Sequence, residues 1–258
     1  MSLEHSEFPP LPGGAAGTPA DTVVYAVGDI HGRCDLLERI HEGIDQDSRQ
    51  HGARRRILVY PEDYVSRGID SHRVVEQMLP ARPGGCEVVC LKGNHEDQLL
   101  RHLGGDLDVG WRWFDLDGLD TLAYYGVAAK LGRERSEEAM ESLRQRFARA
   151  LPGEHLEFSR RLAASYGEGG SRFVHAGVRP GAPLAEPSEH DRMWIRKPFL
   201  ESDLDHGAVV VHGHSISARL QLRHNRIGID TGAYASGILT CLMLEGETRC
   251  ALQTERGG

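Results

Sequence analysis

Four short segments rich in metal-ligand side chains recur along the chain, each where an apolar, strand-like run gives out. They are Gly28-Asp29-Ile30-His31-Gly32, Gly93-Asn94-His95-Glu96, His175-Ala176-Gly177 and His212-Gly213-His214. With Asp63 they supply the donors of a two-metal centre for displacement at phosphorus. Such a centre clamps the attacking and leaving oxygens between ions roughly 3.5–4 Å apart and needs a carboxylate that bridges them. Asp63 is the natural bridge. The other donors mix oxygen with imidazole, which suits manganese, iron, zinc or cobalt better than an all-oxygen magnesium shell.

These residues need elements to hold them. Val23-Val24-Tyr25-Ala26-Val27 has the character of a buried strand, and Leu36, Leu37, Ile40 and Ile44 follow at helical spacing. The unit repeats. Arg56 to Tyr60 is apolar, Ser71 can cap a helix carrying Val74, Val75, Met78 and Leu79, and Val88-Val89-Cys90-Leu91 is the next strand, with a helix over Glu96 to Leu103. Alternating strand and helix predict an α/β domain whose ligands bind beyond the carboxyl ends of the strands, where the metal-ligand residues fall.

From Gly104 to about Gly170 the pattern changes to an aromatic loop with Trp111, Trp113 and Phe114 and a charged helical run from Glu134 through Ala164. This stretch, about 104–170, is expected to be an insertion beside the active site. Arg172-Phe173-Val174, Ala208 to Val211, Arg226 to Ile229 and Ile238 to Leu244 then read as successive strands, which predicts a second sheet with antiparallel pairing. Residues 1–21, rich in Pro, Gly, Ala and Ser, read as a flexible leader, with 22–258 as a single domain.

Bulk properties narrow the choice of partner. A net charge of −8 and the lack of long basic runs argue against nucleic-acid binding. Arg54-Arg55-Arg56 reads as a solvated strand entrance. Five cysteines without a CxxC pair fit reduced thiols and a cytoplasmic location. No apolar run approaches eighteen residues, so neither a membrane span nor a membrane partner is expected.

The ordered motif set resembles the calcineurin-like metallophosphoesterases, and within them the bacterial serine/threonine protein phosphatases and the symmetrical diadenosine tetraphosphatases. The resemblance runs from Val23 to Leu244 and includes Met193-Trp194-Ile195-Arg196 and the segment Arg226 to Tyr234. It implies a sandwich of two mixed β-sheets flanked by helices, with a largely helical insertion. It also implies two divalent metal ions, manganese foremost, with iron, zinc or cobalt as alternatives. Asp29, His31 and Asp63 would hold one ion; Asp63, Asn94, His175 and His214 would hold the other, with His212 supporting its loop. His95 matches the general acid, while Arg67, Asn94 and Arg196 match phosphate-binding positions. Lys92 stands where many relatives carry arginine.

The second motif departs from the family pattern. Where relatives read Gly-Asp-x-Val-Asp-Arg-Gly, this chain has Glu62-Asp63-Tyr64-Val65-Ser66-Arg67-Gly68. In relatives the second aspartate orients the acid histidine and stabilises its charged form. Ser66 cannot do so by charge, so His95 is expected to be less firmly oriented and its pKa less elevated. Glu62 is either a solvent-facing loop residue or a new carboxylate near the metals.

The expected activity is metal-dependent hydrolysis of phosphate monoesters, phosphoserine or phosphothreonine in proteins foremost, by direct attack of a metal-bridging hydroxide. A second reading takes symmetrical dinucleoside polyphosphates or another small phosphoester, with Tyr124, Tyr125 and the tryptophans as stacking surfaces. A third makes the chain a weakened phospho-binding member because of Ser66. Asp115, Asp117 and Asp120 lack the glycine and terminal glutamate of a calcium loop.

Overall fold

The computed structural model describes residues 3–10, 17–50, 52–61, 63–129, 136–184 and 188–255. Six strands form the first sheet: β1 (Leu3–Phe8), β2 (Thr22–Val27), β3 (Arg55–Tyr60), β4 (Glu87–Cys90), β10 (Thr240–Glu245) and β11 (Thr248–Thr254), in the order β1-β11-β10-β2-β3-β4. Five form the second: β5 (Tyr166–Glu168), β6 (Ser171–Phe173), β7 (Val209–His212), β8 (Gln221–Leu222) and β9 (Arg226–Gly228), in the order β5-β6-β7-β9-β8. Both sheets are mixed. β2, β3 and β4 run parallel in the first, and β6, β7 and β9 run parallel in the second.

Strand periodicity sorts the side chains into layers, because successive residues face opposite sides of a sheet. Val24, Ala26, Ile57, Val59, Leu242 and Leu244 of the first sheet meet Phe173, Val209, Val211 and Ile227 of the second in one buried cluster. The alternate residues Val23, Tyr25, Val27, Leu58 and Tyr60 pack with Leu37, Ile40 and Ile44 of α1 (Cys34–Gln50) and with Val74 and Met78 of α2 (Ser71–Met78). On the far face of the second sheet, Val210 joins Ile195 and Phe199. The layers are helix, sheet, sheet, helix. Truncating a fully buried inter-sheet residue such as Ile227 to alanine costs about 2–5 kcal/mol.

The stretch before β5 is helical: α3 (Asn94–Leu103), α4 (Leu107–Asp115), α5 (Gly118–Tyr124), α6 (Glu137–Ala150) and α7 (Gly153–Arg161). Trp113, Leu122, Met140 and Phe147 join the core above α3. α7 is tied to the first sheet where Leu91 and Ala163 form a parallel bridge. Short helices α8 (Glu189–Trp194), α9 (Lys197–Leu200) and α10 (Ala233–Ser236) complete the fold. Among the described residues no helix is long and apolar enough to cross a membrane.

Four expectations are corrected. The aromatic loop is a helix, α4, capped by Asp106. Asp70, not Ser71, caps α2 by accepting from Arg73 N. The later strands do not all share one sheet: β10 joins the first, antiparallel to β2, and the centre of the second sheet is parallel. β10 is buried along almost its whole length, so its sequence carries no sign of which sheet it enters. Finally, residues 3–8 are not part of a flexible leader but form an edge strand antiparallel to β11, with Leu3 against Gly43 of α1. Composition taken over the whole leader hid this Leu-Glu-His-Ser-Glu-Phe segment beside its Pro- and Gly-rich continuation. Residues 11–16 of that continuation lie outside the described residues.

Candidate metal centre

Six buried polar side chains sit just past the carboxyl ends of the six parallel strands: Asp29 after β2, Asp63 after β3, Asn94 after β4, His175 after β6, His214 after β7 and Asp230 after β9. Packing the two sheets with these ends together brings the six to one place. Chain entry into the site is tight. A Cβ on Gly93 would lie 1.9 Å from Asp63 Oδ1, and one on Gly68 would lie 1.8 Å from the His31 carbonyl oxygen. His31, Ser66, Arg67 and His214 all adopt positive φ, a strained backbone concentrated at this site.

Asp63 is the hub. Its Oδ2 lies 3.7 Å from His31 Nε2, 3.5 Å from His175 Nε2 and 3.9 Å from His95 Nε2. Its Oδ1 accepts the His95 backbone N–H at 3.0 Å. Asp29 Oδ1 accepts the His214 N–H at 3.0 Å, and its Oδ2 lies 3.7 Å from His31 Nε2. Two donor sets have ligand atoms within 4.8 Å of one another: His31, Asp63 and His95, and Asp63, His175 and His214.

Tautomers follow from the partners. His31 Nδ1 meets the Val65 carbonyl at 2.9 Å and His175 Nδ1 meets the Pro61 carbonyl at 3.1 Å. A carbonyl only accepts, so each Nδ1 carries the proton and each Nε2 turns a lone pair inward. His175 Nε2 then faces Asn94 Oδ1 at 2.9 Å, acceptor against acceptor. His214 Nε2 has no hydrogen-bond partner among the described residues.

Electrostatics point the same way. Burial, then Asp230 and Asp63, pushes the Asp29 carboxyl well above its usual range. Burial, with Asp63 nearby, raises Asp230 to about 6. Burial drives His31 down to about 4, His95 to about 3 and His214 to about 2, which leaves their lone pairs free at neutral pH. Crowded carboxylates and inward lone pairs repel one another until cations lie between them, so the residues fit a pair of divalent ions.

The loop after Asp63 is held from two sides. Glu96 Oε1 accepts from Tyr64 N at 2.9 Å and Val65 N at 3.1 Å. Ser66 is fully buried, and its Oγ meets Thr121 Oγ1 at 3.2 Å and accepts from Trp113 Nε1 at 3.2 Å. Its backbone N–H goes to Ser71 Oγ at 3.0 Å. Ser66 is therefore engaged by the helical insertion, and neither ring nitrogen of His95 has a hydrogen-bond partner among the described residues.

Arg67 stands at the rim, its guanidinium 5.1 Å over the Tyr234 ring and 4.0 Å from Asp117. Arg196 is exposed and donates to Ser215 Oγ at 3.2 Å. Lys92 reaches Glu189 at 3.7 Å instead of the centre. His212 is buried against Phe199, outside both donor sets. Glu62 lies outside the described residues. Tyr125 is buried with its hydroxyl on His155, so it offers no stacking surface; Tyr124 stays exposed. Trp194 meets His214 edge-on and lines a groove of about 450 Å³ with Gln98, Arg101, Arg112 and His190.

Sequence reasoning missed Asp230, Glu96 and Tyr234 as parts of the site. Asp230 carried the same signal as the other donors, an acid following a short apolar strand and preceding a glycine. Glu96 closes the Gly93-Asn94-His95-Glu96 motif, and nothing local in the sequence shows that it caps the backbone of Tyr64 and Val65. The Trp113 and Thr121 contacts to Ser66 had no local signal.

Two mixed sheets whose parallel strands deliver aspartates, histidines and an asparagine to one buried cluster define a metallophosphoesterase. A calcineurin-like phosphoesterase family model matches residues 22–226, and the chain belongs to that family. Among solved structures, a protein described as a candidate diadenosine tetraphosphatase superposes with TM-score 0.60 at 19% identity, over 93% of this chain and 100% of its own. A mutant of a cold-active protein tyrosine phosphatase superposes with TM-score 0.50 at 17% identity, over 93% and 81%. At these identities the likeness is one of fold. A search of curated proteins finds no match.

Proposed function

We propose that the chain is a metal-dependent phosphatase that hydrolyses phosphate monoesters, with phosphoserine or phosphothreonine in proteins as its substrate class. The observation that carries the reading is Asp63 Oδ2, on which His31, His95 and His175 converge. Asp29, His31 and Asp63 would hold one divalent ion, and Asp63, Asn94, His175 and His214 the second. When bound, manganese or a similar metal supplies an activated water and charge neutralisation at phosphorus. Arg67, braced by Tyr234, grips phosphate oxygens with a fixed fork of donors, joined by Asn94 and by Arg196 from the rim. His95, whose Nε2 faces Asp63, would protonate the departing oxygen; burial holds the ring neutral at rest, so the proton it passes on must first be taken up from water in the site.

The groove beside Trp194 supports a second reading. Arg112 and Arg101, the latter also paired with Asp106, line it together with Asp115, and the flat Trp194 ring offers a stacking face that suits the nucleotide leaving group of a symmetrical dinucleoside polyphosphate. The test is phosphate release by metal-depleted protein reconstituted with Mn²⁺, given an aryl phosphate, a phosphopeptide and diadenosine tetraphosphate. Metal-dependent release from the phosphopeptide in preference to the dinucleotide supports the first reading. The reverse preference supports the second. Binding of phosphopeptide with no release from any substrate would replace both with a phospho-binding role.

A further inference from the structure

Away from the strand ends, His72, Glu76 and His155 bring three ligand atoms within 4.8 Å of one another. His72 and Glu76 are four residues apart on α2 and so share one helix face. His155 comes from α7, beyond the rest of the insertion. We propose that these three side chains form a separate divalent-metal site, of the two-imidazole, one-carboxylate kind that zinc takes, which pins the insertion to α2.

The geometry is near closure. Glu76 Oε1 lies 3.1 Å from His155 Nε2 and 3.8 Å from His72 Nε2. Ligands about 2.0–2.1 Å from a tetrahedral zinc stand roughly 3.3 Å from each other, so the observed spacings bracket what an ion needs. The side chains of His72 and Glu76 are 36% and 47% exposed and can turn the remaining distance. His155 is buried and fixed. A water from solvent, which His72 and Glu76 both meet, would complete a four-coordinate shell.

Tyr125 makes the site workable. Its hydroxyl meets His155 Nδ1 at 2.8 Å, holding the ring with Nε2 toward Glu76. Without metal, Nε2–H donates to Glu76 while the phenol donates to Nδ1. With metal, the ring takes its other tautomer, in which Nδ1–H donates to the phenol oxygen and Nε2 offers its lone pair. No proton leaves the imidazole in this exchange. Burial also keeps His155 neutral, and Glu154 adds negative charge nearby.

The position gives the ion a task. α2 begins just after the turn that carries Ser66 and Arg67, and α7 leads into the Leu91–Ala163 bridge to the first sheet. An ion there ties α2, the helix behind the Arg67 loop, to α7, whose His155 is bonded to Tyr125 at the end of α5, the helix that carries Thr121 against Ser66.

The test compares wild type with His72→Ala and Glu76→Gln, both altered at exposed side chains. Each protein is saturated with Zn²⁺, passed through gel filtration and analysed for zinc, and its Tm is recorded with and without metal. Wild type should retain one equivalent more than either variant and show a larger zinc-dependent rise in Tm, with metal-free Tm values equal across all three. Equal zinc content and equal Tm rises in wild type and variants would overturn the site. Because the readout is a difference in bound zinc, loss of phosphatase activity would bear on the strand-end centre and leave this result standing.

Discussion

The two walls of the metal centre are built in different ways. The wall bearing Asp29, Asp63, Asn94, His175, His214 and Asp230 hangs from the ends of parallel strands, each placed by its own sheet hydrogen bonds. The wall around His95 and Ser66 rests on the insertion, through Trp113 and Thr121. The first wall is repetitive and local: a strand ends, a glycine permits close approach, and a donor follows. The second depends on contacts between residues far apart in sequence. Strand ends thus carry the candidate metal ligands, and the insertion engages Ser66, which stands in the motif beside the proposed acid His95.

The sharpest break in this comparison comes at its hub. Asp63→Ala should lower phosphate release by more than about 10³-fold, since loss of even one positioned transition-state donor costs 10²–10³. Metal analysis of the same variant should show loss of bound ions, while circular dichroism stays unchanged because the Asp63 backbone carbonyl still accepts from Ile30 and His31. Retention of full activity would remove Asp63 from the centre.

The insertion wall should yield a smaller and more selective effect. General acid catalysis contributes about 10²–10⁴-fold, and poor leaving groups need it most. Ser66→Asp should raise hydrolysis of alkyl phosphates, by up to about 10²-fold, more than that of aryl phosphates. Trp113 Nε1 would compete for the new carboxylate, so Ser66→Asp combined with Trp113→Phe should give the larger alkyl gain. Unchanged rates for both substrate types would show that His95 does not depend on this position.

Histidines away from the metals sharpen the contrast through acid stability. Burial lowers both His41 and His102 from the usual imidazole value near 6.5 to about 4. Between those values the unfolded chain binds protons that the folded chain does not, so stability falls as pH drops from about 6.5 to about 4 and then levels. Each histidine contributes up to about 3 kcal/mol to that fall. His102→Phe, placed beside Trp113 and Phe114, should flatten the acid limb of a urea-midpoint profile. An unchanged slope would mean that His102 titrates alike in both states.

The same division explains what could be read from the sequence. Glycine-flanked donors after apolar runs are a short-range pattern, so Asp29, His31, Asn94, His175 and His214 were visible and their gathering followed from the α/β alternation. Asp230 repeated that pattern and was overlooked as a donor. The Ser66 substitution was visible, but its partners lie 47 and 55 residues away and nothing near Ser66 names them. The sheet chosen by β10 was equally hidden, because strand character specifies burial and not the neighbour.

The amino-terminal strand gives the smallest effect and tests an edge of the first sheet, β1, that carries none of the candidate ligands. β1 covers β11, whose backbone groups would otherwise face solvent as an open edge. Leu3 is half-buried against Gly43, so Leu3→Ser should lower stability by only about 1 kcal/mol. Hydrogen exchange should quicken first at β11 amides that pair with β1, while β2 and β10 amides and phosphate release stay as in wild type. If exchange at the metal-bearing strand ends rose with it, the edge and the centre would belong to one cooperative unit, and the independence of the strand-end wall would fail.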